Sequence, residues 1–196
     1  MDILISGVGG QGTILASKIL AYSAVVEGNN ARTGETIGMS QRGGCVVSHV
    51  RTGSVNSPYN PVGGADLLLS FELCEGARNI KYINKNGIAV INTTKIMPVT
   101  TSLGTSEYDE EQIKKFITDN ARAVFVDANS LAHEAGSVKA VNTVLIGVAY
   151  GIGILDVSKE SIIQSMEKNI KQRFIDLNMR AFEAGVRYGS EVQVKC

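Results

Sequence analysis

Residues 7–13 read Gly-Val-Gly-Gly-Gln-Gly-Thr and satisfy GxGxxG through Gly7, Gly9 and Gly12. Glycines at this spacing let the backbone turn tightly and approach a phosphate. The unpaired amides and dipole of a following helix would then hold the negative charge. Gly10 and Gln11 complete the turn, and Thr13 adds a hydroxyl where the helix would begin. The same turn can serve only to pack a first helix on a sheet, and the residues by themselves leave both readings open. A dinucleotide site would also need an acid about 20 positions further on, at the end of a second strand. Glu35 is the nearby candidate, but the segment around it, NARTGETIG, is a poor strand with a glycine on each side, which weakens an NAD site.

A second constellation is GMSQRGGC, residues 38–45. Arg42 can grip a carboxylate or phosphate with two parallel hydrogen bonds, Ser40 and Gln41 can orient a polar ligand, and Gly43-Gly44 admits a close backbone approach. A surface turn before a strand explains the same residues. Cys45, Cys74 and Cys196 are far apart and form no disulfide framework or metal-ligand spacing, so they read as buried or incidental thiols. His49 and His133 are the only histidines, and both read as structural. Glu72 and Glu75 follow a strand end, where a helix-capping role suits them. Nothing here forms a self-sufficient nucleophile and base.

These residues need elements to position them. DILIS (2–6) followed by the glycine turn and TILASKILAYSA (13–24) predicts strand, turn and helix. Further strands are expected at 45–52, 66–71, 88–92 after the turn residue Gly87, and 123–126. Helices are expected over 72–84, from the acidic cluster Asp109-Glu110-Glu111 through Ile117, from Ser158, and over 175–188, while Pro98 interrupts a simple continuation. Asn142 to Leu155 is nearly uncharged, reads as a buried helix, and carries Gly147, Gly151 and Gly153 for close helix approach. The alternation predicts an α/β fold, a Rossmann-like three-layer sandwich with a mainly parallel sheet, as one domain over 1–196.

The chain of 196 residues has 19 basic and 19 acidic side chains, so no net field draws it to nucleic acid or an anionic membrane. No apolar run approaches the roughly 18–20 residues of a membrane span, and the first residues do not make a signal peptide, so a cytoplasmic location is expected. Charged residues are only 19%, against roughly 25% in an average soluble domain. The shortage is uneven: residues 1–71 hold eight charges and the remaining 125 hold thirty. A stretch so poor in charge is expected to be buried or to face a partner.

GVGGQGTILASKIL and GMSQRGG, followed in order by DLLLSFE (66–72), Asn92 with Pro98, DANSLAHEAG (127–136), NTVLIG (142–147) and NMRAFEAG (178–185), make the chain resemble the gamma-type subunits of 2-oxoacid:ferredoxin oxidoreductases. Within that family it is most similar to the indolepyruvate:ferredoxin oxidoreductase beta subunits, because pyruvate-type relatives carry a different arginine-rich loop at MSQRGG. The resemblance implies oxidative decarboxylation of an aryl 2-oxoacid with thiamine diphosphate and magnesium. Electrons pass through iron–sulfur clusters to ferredoxin, and the acyl group passes to coenzyme A. Thiamine and the clusters would belong to a larger partner subunit, leaving no cofactor tightly bound by this chain.

What remains for this chain is to complete the cleft. Gly9, Gly10, Gln11, Gly12 and Thr13 are implied for the coenzyme A phosphates, and Ser40, Gln41 and Arg42 for substrate or partner contact. Cys45 stands where relatives carry another small residue and receives no catalytic role. The isolated chain is expected to be inactive, with a substitute homodimer left open. Two competitors are an NAD(P)-dependent Rossmann dehydrogenase and a phosphate-binding module without a part in turnover.

Overall fold

Strand side chains alternate between the two faces of a sheet, so strands apolar at nearly every position need helices on both sides. The computed structural model describes residues 1–38, 44–96 and 108–192. Its strands are β1 (Asp2–Val8), β2 (Ala31–Ile37), β3 (Cys45–Thr52), β4 (Ala65–Ser70), β5 (Ile83–Asn92) and β6 (Arg122–Val126), in the order β2-β3-β1-β4-β5-β6. β1, β4, β5 and β6 run parallel, and β3 is antiparallel to both of its neighbours. The α-helices among the described residues are α1 (Thr13–Val26), α2 (Leu73–Asn79), α3 (Glu110–Asn120), α4 (Ala128–Ala135), α5 (Val141–Ile152), α6 (Lys159–Asn169) and α7 (Ile175–Glu191).

Ile3, Ile5, Leu67, Leu69, Val90 and Val124 face one helical layer, built from α1 and α4 to α7. Leu4, Leu68, Ala89 and Ile91 face the other, where Leu73 of α2 and Ile117 of α3 close a second core. The expected α/β sandwich with a mainly parallel sheet is therefore the observed one. Helix starts follow their caps: Glu72, Asp109, Asp127 and Ser158 each accept a backbone N–H three residues on.

Four local expectations are corrected. Residues 31–37 do form a strand, because β3 offers a full antiparallel ladder and Gly34 leaves room for Tyr59 and Pro58. Pairing overrides weak local preference here. The helix expected over 72–84 ends at Asn79, passes through a 3-10 turn at Ile80–Tyr82, and enters β5 at Ile83. Gly87 lies inside β5 where the β4–β5 register shifts; a Cβ there would sit 2.8 Å from the Ala65 carbonyl oxygen. In α5, Gly147 and Gly151 make the expected close approach, to Gly185 and Gly189 of α7, whereas Gly153 ends the helix.

His49 sits in β3 at 5% exposure, its Nδ1 accepting the Asn60 N–H at 3.1 Å, with the rings of Tyr59 and Tyr82 edge-on to it. Burial pushes its pKa below the ordinary 6.5. The unfolded chain therefore binds a proton that the folded chain refuses. This contribution to stability is complete above about pH 6.5 and is lost as pH falls through the window beneath it. Melting temperature should fall between pH 7.5 and 5.5, and His49→Gln should flatten that slope; an unchanged slope would remove His49 as its source.

Candidate functional site

The glycine turn lies at the carboxyl end of β1, the end at which parallel sheets present ligands. Gly10 and Gly12 have φ of +101° and +87°, left-handed values that side chains disfavour. Gln11 staples the turn: its Oε1 accepts the Val8 N–H at 2.7 Å, and its Nε2 donates to the Phe71 carbonyl at 3.1 Å. Both ends of that side chain are thus engaged within the protein. Gly7 admits the staple, since a Cβ there would lie 2.8 Å from Gln11 Oε1 and 2.9 Å from the Thr13 methyl. Gly9 donates to the Gly44 carbonyl at 2.9 Å, which brings the start of β3 beside the turn. Ser40, Gln41 and Arg42, like Pro98, lie outside the described residues.

Gly12 takes the N-cap position of α1 with no side-chain cap and no acid in the first turn. Thr13, 4% exposed, begins the helix. The start of α1 borders a cleft of about 420 Å³ lined by Gly10, Gln11, Gly12, Leu15, Asn129, Val138, Lys139, Val141 and Asn142. Among the described residues its rim holds a lysine and no carboxylate, a setting that favours an anion. Lys139 and Asn142 were not reached by sequence reasoning about chemistry. They lie some 130 residues from the turn, and only the packing of α5 on α1 joins them. Asn92 braces the same end of the sheet, donating to the Phe71 carbonyl and to Asn129 Oδ1 and accepting the Ala128 N–H.

On the opposite face, Glu72 is 1% exposed and caps α2 through the Glu75 N–H at 2.9 Å, as expected, while also accepting from Tyr108 Oη at 2.9 Å. Glu75 does not cap. Its Oε2 accepts from Cys45 Sγ at 2.8 Å, and its Oε1 pairs with Arg78 at 3.5 Å. Burial, with the Glu75 carboxylate beside it, pushes the Cys45 thiol up to about 12; burial also raises Cys74. Thiolate is the reactive form. Iodoacetamide at pH 8 should label Cys45 at least about a hundredfold more slowly than a free thiol. Rapid labelling, read by peptide mass, would reopen a reactive role for Cys45. Among the described residues no three His, Cys, Asp or Glu side chains converge as a metal site, and no helix is long and apolar enough to cross a membrane.

The nicotinamide alternative loses its acid. Glu35 lies on edge strand β2, separated from β1 by the antiparallel β3, and its carboxylate accepts from Ser17 Oγ at 3.4 Å. A dinucleotide fold would place that acid on a parallel strand beside β1.

The family model for pyruvate ferredoxin/flavodoxin oxidoreductase matches residues 2–188. The chain belongs to this family. This oxidoreductase subunit is 42% identical over 153 residues to indolepyruvate oxidoreductase subunit IorB of Archaeoglobus fulgidus, covering 77% of this chain and 76% of that one. The IorB subunit of Pyrococcus horikoshii is 43% identical over 150 residues, 74% of each chain. Two solved structures share the fold. The gamma subunit of a keto/oxoacid ferredoxin oxidoreductase from Geobacter sulfurreducens aligns with a TM-score of 0.72 at 23% identity, over 97% of this chain and 99% of that one. The 2-oxoglutarate:ferredoxin oxidoreductase of Magnetococcus marinus, solved with 2-oxoglutarate, coenzyme A and succinyl-CoA, aligns with a TM-score of 0.76 at 20% identity. It matches all of this chain and 32% of its own. The present chain is thus an IorB-like subunit of a 2-oxoacid:ferredoxin oxidoreductase.

Proposed function

We propose that this subunit completes the active-site cleft of an indolepyruvate-type enzyme, one domain over 1–196 that holds the coenzyme A phosphates while an aryl 2-oxoacid is decarboxylated on the larger subunit. The observation that carries this reading is the uncapped start of α1 behind the left-handed Gly10 and Gly12, bordering a cleft that no carboxylate lines among the described residues. The backbone amides of Gly10, Gly12 and Thr13 bind the phosphate oxygens, with Gly7, Gly9 and Gln11 shaping the turn, where the Gln11 N–H is already donated to the Val8 carbonyl. Ser40, Gln41 and Arg42 contact substrate or partner.

Thiamine diphosphate with magnesium, held by the larger subunit, supplies the nucleophile and electron sink for loss of the carboxylate; the iron–sulfur clusters there pass electrons to ferredoxin. The work of this chain is to orient coenzyme A and exclude water. The charge-poor residues 1–71 form the docking face. Exposed Ile14, Tyr22 and Val25 on α1 and Ile37 on β2 support this, since their burial needs no charge to be desolvated. A cytoplasmic location and an inactive lone chain belong to the same reading.

Co-expression with a larger subunit bearing thiamine and cluster motifs should yield a co-purifying complex, whereas the lone chain should not decarboxylate arylpyruvates. A lone chain that does so at an enzymatic rate, or that binds NAD at micromolar concentration, would overturn the assignment.

A further inference from the structure

The sheet has an edge at β2 and another at β6, and the two are treated differently. An unguarded edge presents a row of unpaired N–H and C=O groups to any strand that can lie beside it. β6 is short, and Tyr188 Oη donates to its Phe125 carbonyl at 2.8 Å. β2 has seven residues and no proline, and it pairs with β3 without a register shift from Ala31 to Ile37. Its two charged side chains are held back on their own chain. Arg32 Nε donates to the Val55 carbonyl at 2.8 Å, and Glu35 accepts from Ser17 Oγ at 3.4 Å.

The ladder shows which backbone groups of β2 are spare. The Asn30 carbonyl accepts the Gly53 N–H at 2.8 Å, and Gly38 donates to the Cys45 carbonyl at 2.9 Å, so the even-numbered residues bond to β3. Successive residues of an antiparallel strand bond to opposite sides. The N–H and C=O groups of Ala31, Thr33, Glu35 and Ile37 therefore point away from β3, and among the described residues they have no partner. Gly34 is the middle residue of the strand. Tyr59, 51% exposed, lies over it, 3.1 Å from where a Cβ would be.

We infer that the β2 edge binds the β2 edge of a second copy of this chain, antiparallel about a twofold axis at Gly34. In that register Ala31 faces Ile37 of the second copy and Thr33 faces its Glu35, so the outward residues of both strands meet and all their N–H and C=O groups pair. A slip of one residue would set outward groups against inward ones. A slip of two would either bring Glu35 against Glu35 or leave Ile37 beyond the end of the other strand. In the twofold register no like charges stand directly opposite, since Arg32 faces Thr36 and Glu35 faces Thr33. Gly34 keeps the axis free of side chains, and the two Tyr59 rings flank it on one face. An isologous contact of this kind needs only the surface already present on one copy. It goes beyond the subunit reading, giving one strip of the charge-poor face to a second copy, and is independent of what the glycine turn binds.

Sedimentation velocity on the full chain is the test. The wild type should dimerise with a dissociation constant of about 10 μM or tighter. Thr33→Pro removes an outward N–H and no bond to β3, so it should weaken dimerisation by about tenfold or more while the melting temperature stays within about 5 °C. Thr33→Glu sets like charges opposite each other twice and should weaken the dimer by about fivefold, whereas Thr33→Lys, facing Glu35, should tighten it by about threefold. Thr33 is exposed, so the charge variants keep the inference testable even where proline disturbs the strand. A wild type still monomeric at about 100 μM, or Thr33→Glu and Thr33→Lys with dissociation constants within about twofold of each other, would overturn the inference and leave the subunit assignment standing. A monomeric wild type whose Thr33→Pro variant fails to co-purify with the larger subunit would also overturn it, and would give the edge to that subunit.

Discussion

Gly185→Leu should prevent this subunit from reaching its native fold at 37 °C, or lower its melting temperature by more than about 10 °C, corresponding to roughly 4 kcal/mol or more. A Cβ on Gly185 would collide with the Val144 carbonyl oxygen and lie 2.9 Å from the Val148 amide nitrogen; across the contact, a Cβ on Gly147 would collide with the Phe182 carbonyl oxygen. The obstacles are backbone atoms, which have no alternative rotamer, so relief requires α5 and α7 to separate. Each extra methylene forced into a packed core typically costs about 1–3 kcal/mol. Here the separation would also loosen Val144, Leu145, Ile146 and Val148, which fill the centre of the larger core. A melting temperature within about 3 °C of wild type, by calorimetry, would mean that the helices do not meet at these glycines.

Gly12→Val should lower kcat/KM for coenzyme A in the assembled enzyme by about a hundredfold or more while leaving the subunit folded. Left-handed backbone at φ +87° costs a side-chain-bearing residue about 1–2 kcal/mol, and the new Cβ would press to 3.2 Å of Asn142 Nδ2. Both effects fall where the α1 amides open on the cleft. The expected signature is therefore a large change in the coenzyme A parameter with a melting temperature lowered by only several degrees. A loss below threefold, measured with coenzyme A varied at saturating 2-oxoacid, would return the turn to a purely packing role.

Much of this arrangement can be read from local pattern, since strand, glycine turn and helix at the amino end need only their own residues. The uncharged run from Asn142 likewise declares a buried helix, because no surface helix could be so apolar. What stays hidden is what depends on pairing across the chain. β2 looks unfit for a sheet until β3 lies beside it, and nothing in 45–52 announces that β3 runs against β1. Gln11, placed in a ligand-binding motif, spends both polar ends on the backbone of Val8 and Phe71. Asn142 belongs to a stretch that marks the family, yet its position opposite Gly12 arises only when α5 packs beside α1. Cys45 at a loop end could serve a ligand or the core, and the Glu75 carboxylate that decides between them comes from a helix thirty residues away.

The most direct measurement is ferredoxin reduction driven by an arylpyruvate and coenzyme A, using the larger subunit with and without this chain added back in stoichiometric amount. Turnover should be negligible with either component alone and should return, dependent on coenzyme A, when the two are combined. Full coenzyme A-dependent turnover by the larger subunit in the absence of this chain would contradict its role in completing the cleft.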